Sequence, residues 1–207
     1  MLPDNYWLYL QIIFFLFITP GSPRVVMCSY TMSYGLNKSV WTALGDIFAN
    51  SLQLLFVVMG FGLLVKDNPI ILAMLKWIGV AYLLYLAYDL YKSKAKEIST
   101  SDAHEKNILS FFKDGFLVAG LSPNAWIFFS VIFIQFLDYN LSLIYFSIQL
   151  AILWFSYIFL DFISLVIYGI SANKIAIWLN SNPKTINIVS AIALVFIALF
   201  VALFQKI

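Results

Sequence analysis

Long apolar stretches interrupted by few polar residues dominate the chain. Six can be distinguished, at about 6–34, 39–65, 70–92, 108–137, 141–170 and 186–205. Each is long enough to cross roughly 30 Å of hydrocarbon as a helix. Lipid offers backbone N–H and C=O groups no partner, so each stretch must satisfy them internally, which predicts helices. The alternating segments of about 10 residues that mark a membrane barrel are absent. The connections read GLNKS, KDNP, KSKAKEISTSDAHEKN, DYN and SANKIAIWLNSNPK, and only the third is long and hydrophilic. The pattern predicts an all-α polytopic membrane protein with six transmembrane helices.

Polar and turn-forming residues interrupt two of these stretches near their middles. The first break is Thr19-Pro20-Gly21-Ser22-Pro23, with Arg24 directly behind it. The second is Ser122-Pro123-Asn124, preceded by Gly115 and Gly120. The chain divides near residue 100, so the broken helices 1 and 4 open corresponding halves. We expect one transmembrane domain over 1–207, built of a first repeat 6–92, a cytoplasmic linker 93–107 and a second repeat 108–205. Three spans per half make the repeats inverted in the membrane. Interrupted helices at matching positions point to a transport site; two ordinary proline kinks are the competing reading.

The chemistry of a break follows from proline. Pro20 and Pro23 lack an N–H and clash with the carbonyl four residues back, which frees the carbonyls of Leu16 and Thr19. Gly21 eases the turn. A half-helix starting near Pro23 would aim N–H groups and a positive dipole end at the gap. Acceptors on one side and donors on the other suit a zwitterion. Pro123 would free the carbonyl of Ala119 in the same way, and Asn124 adds an amide.

Composition strengthens the membrane reading: of 207 residues, 63% are hydrophobic and 11% charged, too apolar for a soluble domain of this size. The net charge of +2 matters less than its placement. Lys92, Lys94, Lys96 and Lys106 crowd the third connection, with Lys113 close behind, which puts that loop in the cytoplasm and both termini outside. The N-terminal stretch has no basic leader or small-residue cleavage site, so the first span is expected to be retained. Cys28 is the single cysteine and His104 the single histidine, so neither a disulfide nor a His-rich metal site is expected. No cofactor-binding loop or nucleic-acid-binding patch is present.

Two carboxylates stand in apolar surroundings: Asp46 in TALGDIFAN and Asp161 in WFSYIFLDFISLV, in counterpart spans two and five. An ionised carboxylate near the bilayer centre is unfavourable by about 2.5–3.5 kcal/mol on insertion scales, and such residues often mark ion paths or proton relays. Asp46 could instead pair with Arg24 for structure, and Asp161 could bond a neighbouring helix. Arg24 could bind a substrate carboxylate bidentately or snorkel to the cytoplasmic interface. Asn50 and Gln135 are weaker candidates, more often helix–helix hydrogen bonds. The aromatic residues are expected to be mostly lipid-facing bulk and interface anchors.

These residues resemble the LysE/RhtB family of amino-acid exporters. TPGSPRVV, followed by Gly35 and Gly45, is similar to that family's Thr-Pro-Gly-Pro opening. LKWIGVAYLLYLAYDLYKSK, residues 75–94, looks like its third span, with Gly79, Tyr82 and Leu83 matching. FFKDGFLVAGLSPNAWIFFSVIFIQF, residues 111–136, resembles its Phe-x-x-Gly…Asn-Pro-Lys…Phe-Phe…Gln-Phe segment. Residues 6–137 carry the likeness; the last two spans share only hydropathy. The resemblance implies six helices, a bacterial inner-membrane location and efflux of amino acids or derivatives driven by the proton gradient or membrane potential. Ser22 stands at the motif's second proline, displaced here to Pro23. Ser122-Pro123-Asn124 stands for Asn-Pro-Lys, so the family's lysine is missing and Arg24 is the cation that could replace it. Ser190 and Ala198 occupy positions where the family tends to have glycine.

The first expectation is therefore an exporter of a small zwitterion. Thr19, Pro20, Gly21, Ser22, Pro23, Arg24, Asp46, Ser122, Pro123 and Asn124 would bind substrate, and Asp46 with Asp161 would couple protons. Its partners would be an amino acid, protons and the bilayer, with monomer and homodimer both open. An intramembrane aspartyl protease would also use two aspartates, which can share a proton and activate water. However, Ala43 replaces the first glycine of the Gly-x-Gly-Asp motif and its companion motifs are missing. A non-transporting structural subunit would explain the helices but not the matched breaks.

Overall fold

The apolar stretches fold as helices, and the described residues contain no strand. A computed structural model describes residues 3, 5–19, 21–65, 69–92, 106–181 and 185–204. Pro20 and residues 93–105 of the hydrophilic linker, with His104, lie outside the described residues, as do 66–68 and 182–184.

The first stretch is two helices, α1 (Tyr6–Ile18) and α2 (Ser22–Tyr34), bent by 47° at the expected break. Pro23 sits in the first turn of α2, where its missing N–H does no harm. Gly35 ends α2 at φ +82°, a conformation that disfavours any side chain, and α3 (Leu36–Val65) and α4 (Pro69–Lys92) follow. In α5 (Ile108–Gly120) the Asn107 side chain caps the start, accepting from the Ser110 N–H at 2.8 Å. The second break leads into α6 (Pro123–Ile127), with a bend of 57°. Beyond α6 the chain continues as a π-turn over Phe128–Ile132 and a 3₁₀ turn over Phe133–Phe136. The expected single span 108–137 is therefore not a regular helix past its break. Then come α7 (Leu143–Ile170), α8 (Ala172–Ser181) and α9 (Thr185–Phe204). α8 was not expected: it occupies most of what reads as a polar connection.

By length and composition, α3 over Leu36–Gly60 and α7 can each cross a membrane. Among the described residues the number of such spans rises from these two to four if each bent pair counts as one span.

α3 is the axis of the fold, packing along α5 and also against α2 and α7. Its approach to α5 is very close. A Cβ on Gly45 would lie 2.0 Å from the Phe112 carbonyl oxygen, and one on Gly115 would lie 1.9 Å from that of Thr42. Reciprocal glycines let the two backbones touch, the usual way helices approach closely in lipid. α4 packs on α9 at the other side.

The core lies among α1, α4, α9 and the irregular stretch 128–136, with Leu153 and Tyr157 of α7, and it is rich in aromatic rings. Tyr9, Phe128, Phe129 and Phe133 are fully buried, and Tyr9 donates its hydroxyl proton to the Leu153 carbonyl at 3.0 Å. Exposed rings still outnumber buried ones among the described residues, as expected, but the core is built largely of rings as well. Trp7, Phe56, Trp77 and Phe196 do face outward, but the largest core side chains are also rings. With little else to drive helix association in lipid, interlocking bulky side chains supplies it.

Candidate functional site

The first break is closed by α7. The Phe17 carbonyl accepts from Ser164 Oγ at 3.0 Å, and the Ile18 carbonyl accepts a hydrogen bond from Tyr168 Oη. Thr19 folds its hydroxyl back onto the Phe15 carbonyl at 3.1 Å, and its own carbonyl receives the Gly21 N–H at 2.8 Å. The carbonyls taken up by side chains one turn apart on α7 are thus those of Phe17 and Ile18, while that of Thr19, expected to be freed by Pro23, is met within the break by Gly21.

Arg24, in the first turn of α2, follows the same face of α7. It does not snorkel. Its guanidinium is buried, pairs with Asp161, reaches Ser164 Oγ at 3.5 Å and lies 4.7 Å from the centre of the Phe17 ring. Arg24 pairs with Asp161 and not, as one reading had it, with Asp46.

Asp46 joins the cluster through Asn50, one turn further along α3. The Asn50 amide donates to Asp46 Oδ2 at 2.9 Å and to Asp161 Oδ2 at 3.1 Å. One side-chain amide therefore bridges two carboxylates from counterpart helices. Asp46 and Asp161 are both fully buried. Within this cluster one guanidinium faces two carboxylates, an arrangement able to take up one further positive charge, a proton or an ammonium group.

The second break is closed by α3. Gln53 Nε2 donates to the carbonyls of Ala119 at 3.1 Å and Gly120 at 3.0 Å, and Trp126 Nε1 also donates to Gly120 at 2.9 Å. The carbonyl of Asn124 accepts from Tyr82 Oη at 3.0 Å. The two breaks are thus braced crosswise: α7 of the second half holds the first break, and α3 of the first half holds the second.

The expected site residues are gathered only in part. Arg24, Asp46 and Asp161 come together. Thr19 and Gly21 cap the break itself, and Pro23 borders a crevice beside Asp46. Ser22 and Asn124 are exposed, Ser122 precedes α6 as its cap residue, and Pro123 opens α6. Sequence reasoning ranked Asn50 low and passed over Thr42, Gln53, Ser164 and Tyr168. Their signal was a polar stripe at helical spacing, 42, 46, 50 and 53 on α3 and 161, 164 and 168 on α7.

The far end of α2 is tied as well. Lys106 Nζ lies 2.8 Å from Asp114 Oδ2 and 2.7 Å from Tyr30 Oη, which itself donates to Asp114 at 2.8 Å. Burial pulls the Lys106 pKa down, but its bonds to Asp114 and Tyr30 outweigh this and hold it above the ordinary lysine range. The tie is thus complete below the ordinary lysine pKa and is lost only as pH rises through the raised value; varying pH near neutrality should leave it intact. Cys28, buried on α2 and bonded to the Tyr168 carbonyl at 3.3 Å, reports on this helix. Asp114→Asn is expected to speed Cys28 alkylation by a factor of up to about five, the scale of a partly exposed pair. A maleimide time course checks it; an unchanged rate would mean the tie does not hold α2.

Comparison with known proteins adds identity to this geometry. The profile of the LysE type translocators matches residues 14–205, which include both breaks, Asp46 and Asp161. The chain belongs to the LysE type translocator family. Among LysE relatives, a leucine efflux protein of Klebsiella pneumoniae is 25% identical over 137 residues, 66% of this chain and 65% of that protein. A leucine efflux protein of Salmonella typhimurium is 27% identical over 138 residues, 65% and 64% of the two chains. An uncharacterized membrane protein of Vibrio cholerae is 28% identical over 121 residues, 58% and 59%. The chain thus spans 59% to 65% of the length of these curated relatives. No solved structure matches it. Membership of the LysE family, one of translocators, answers the protease alternative. So does the pairing of Asp161 with Arg24, since an aspartyl dyad needs both carboxylates turned to a water.

Proposed function

We propose that the chain is a secondary transporter that exports amino acids or their derivatives across the bacterial inner membrane. The observation that carries this reading is the buried cluster of Arg24, Asp161, Asn50 and Asp46 beside the first break, in a chain of the LysE family. The printed name of two relatives, leucine efflux protein, supports an amino acid as the solute.

In this reading six spans form two inverted repeats, 6–92 and 108–205, joined by the cytoplasmic linker 93–107, with both termini outside. The crosswise bracing of the breaks supports it, since each half completes the other. Asp46 receives a proton or the substrate ammonium, Asp161 holds Arg24, and the residues at the two breaks, Thr19 to Pro23 and Ser122 to Asn124, contact the substrate as the halves rock. Proton entry at Asp46 alternates with substrate, so the proton gradient drives export. A homodimer fits this scheme as well as a monomer does, because the cluster lies within one chain.

Cells preloaded with amino acids through dipeptides test the reading. The wild type should export at least one amino acid, and Asp46→Asn should fall to background while still reaching the membrane. Asparagine keeps the size and an acceptor for Asn50, so a loss of export reads the charge. Export unchanged in Asp46→Asn would remove Asp46 from the mechanism.

A further inference from the structure

α2 packs on α7 and α8 at one side and meets α3 and α5 at the other. Its approach to α7 is close: a Cβ on Gly169 would lie 2.8 Å from Met27 Cε, and Arg24 is paired with Asp161. α3 and α5 are joined as closely by Gly45 and Gly115. The seam between these two pairs of helices is dry. Its crevice, bordered by Val26 and Met27 of α2, Asp46 of α3 and Gly115 of α5, has no room for a water molecule. Polar ties close the seam at both ends. Deep in the bundle, Asn50 of α3 donates to Asp161 of α7 at 3.1 Å. At the outer end, one turn past Val26 on α2 and beside Gly115 on α5, the Tyr30 hydroxyl donates to Asp114 at 2.8 Å and accepts from Lys106 at 2.7 Å. A plug of rings accompanies this tie. Phe111 of α5 is fully buried and meets the Tyr30 and Tyr34 rings edge-on, with centres 5.4 and 5.1 Å apart.

We propose that Tyr30, Asp114 and Lys106, with the rings of Tyr34 and Phe111, form the gate on the linker side of the bundle: α2 parts from α5 to open a way to the Asp46–Asp161 cluster, and the structure shows this gate shut. The inference rests on the exporter reading, which puts the linker in the cytoplasm, and deepens it by assigning the inner gate. A solute cannot pass a seam that excludes water, so the seam opens in each cycle of alternating access. Lys106 and Asp114 both stand on the α5 side, so their ion pair survives the opening; the Tyr30 hydroxyl is the bolt that leaves it. That pair is about one-third exposed, so water replaces the lost partner and the bolt holds only weakly, as repeated opening requires. Gly35 supplies the hinge. It alone separates α2 from α3 and already stands at φ +82°, so a change at one residue swings one helix from the other.

Pinning the two helices tests the gate. Tyr30→Cys with Asp114→Cys is joined by a short bifunctional methanethiosulfonate, which a reductant releases. Efflux of the amino acid that cells expressing the chain export is then measured from liposomes holding the purified full chain. The linked protein should fall to background and recover on reduction. Either single variant, and the wild type with its buried Cys28, should keep its efflux under the same reagent. Linked protein that exports like the reduced form would overturn the gate and leave the exporter reading standing. So would an equal loss in a single variant, since the block would then come from the modification and not from the link. A reduced double variant that is folded but exports nothing would overturn the gate too, because a gate without its bolt must still open. Export of no amino acid by the wild type would overturn both readings.

Discussion

Asp161→Ala is expected to abolish export and to destabilise the folded chain by about 3–5 kcal/mol, because it strands the buried Arg24 guanidinium without its counter-charge. Asn50 would lose one of its two carboxylate acceptors at the same time. Thermal unfolding in detergent reads the first effect and efflux the second. The two separate in a double variant. Arg24→Met with Asp161→Leu replaces the buried pair by apolar groups, which is often neutral or stabilising. Stability should therefore return while export does not. If export also returned, the pair would be a structural staple and the transport role assigned to this cluster would be wrong.

The second large effect is expected at the crossing of α3 and α5. Gly115→Leu places a side chain where even a Cβ would lie 1.9 Å from the Thr42 carbonyl oxygen. The obstacle is backbone and cannot rotate aside, so the helices must part. Overpacking of this kind destabilises by about 1–3 kcal/mol or more. The separation also removes Gly115 and Thr42 from their places at the crevice. We expect export near background and a lowered unfolding temperature, with Gly115→Ala intermediate. Gly60, which has no atoms within 4 Å of an added Cβ, is the control: Gly60→Ala should unfold at the wild-type temperature. A Gly115→Leu protein as stable as wild type would mean that the close approach is not required.

Both effects concern partners that are far apart in the chain, and this marks how far the sequence could be read. The breaks were legible because proline acts locally: a missing N–H and a ring clash do not depend on the rest of the fold. Asp46 and Asn50 could be placed on one face because helical spacing puts residues four apart together. The pairing of Arg24 with Asp161 was not legible, since 137 residues separate them and Asp46 was an equally good partner by charge. The same holds for Ser164, Tyr168 and Gln53. As isolated polar residues in apolar helices they looked unremarked, and only the fold shows that they close the two breaks. The π and 3₁₀ turns over 128–136 left no trace in FFSVIFIQF, where every position is apolar except Ser130 and Gln135. α8 was hidden by its polar residues, and the buried aromatics by a hydropathy that cannot tell lipid from protein interior.

Proton coupling through the two bridged carboxylates is the central claim, and reconstituted protein tests it most directly. Efflux from liposomes of the amino acid that cells expressing the chain export should be measured with and without an imposed pH gradient, for the wild type and Asp46→Asn in parallel. A gradient directed into the liposomes, acid outside, is expected to accelerate efflux by the wild type, and Asp46→Asn to gain nothing from it. Wild-type efflux that ignores the gradient, or an Asp46→Asn protein that responds to it as the wild type does, would contradict the account.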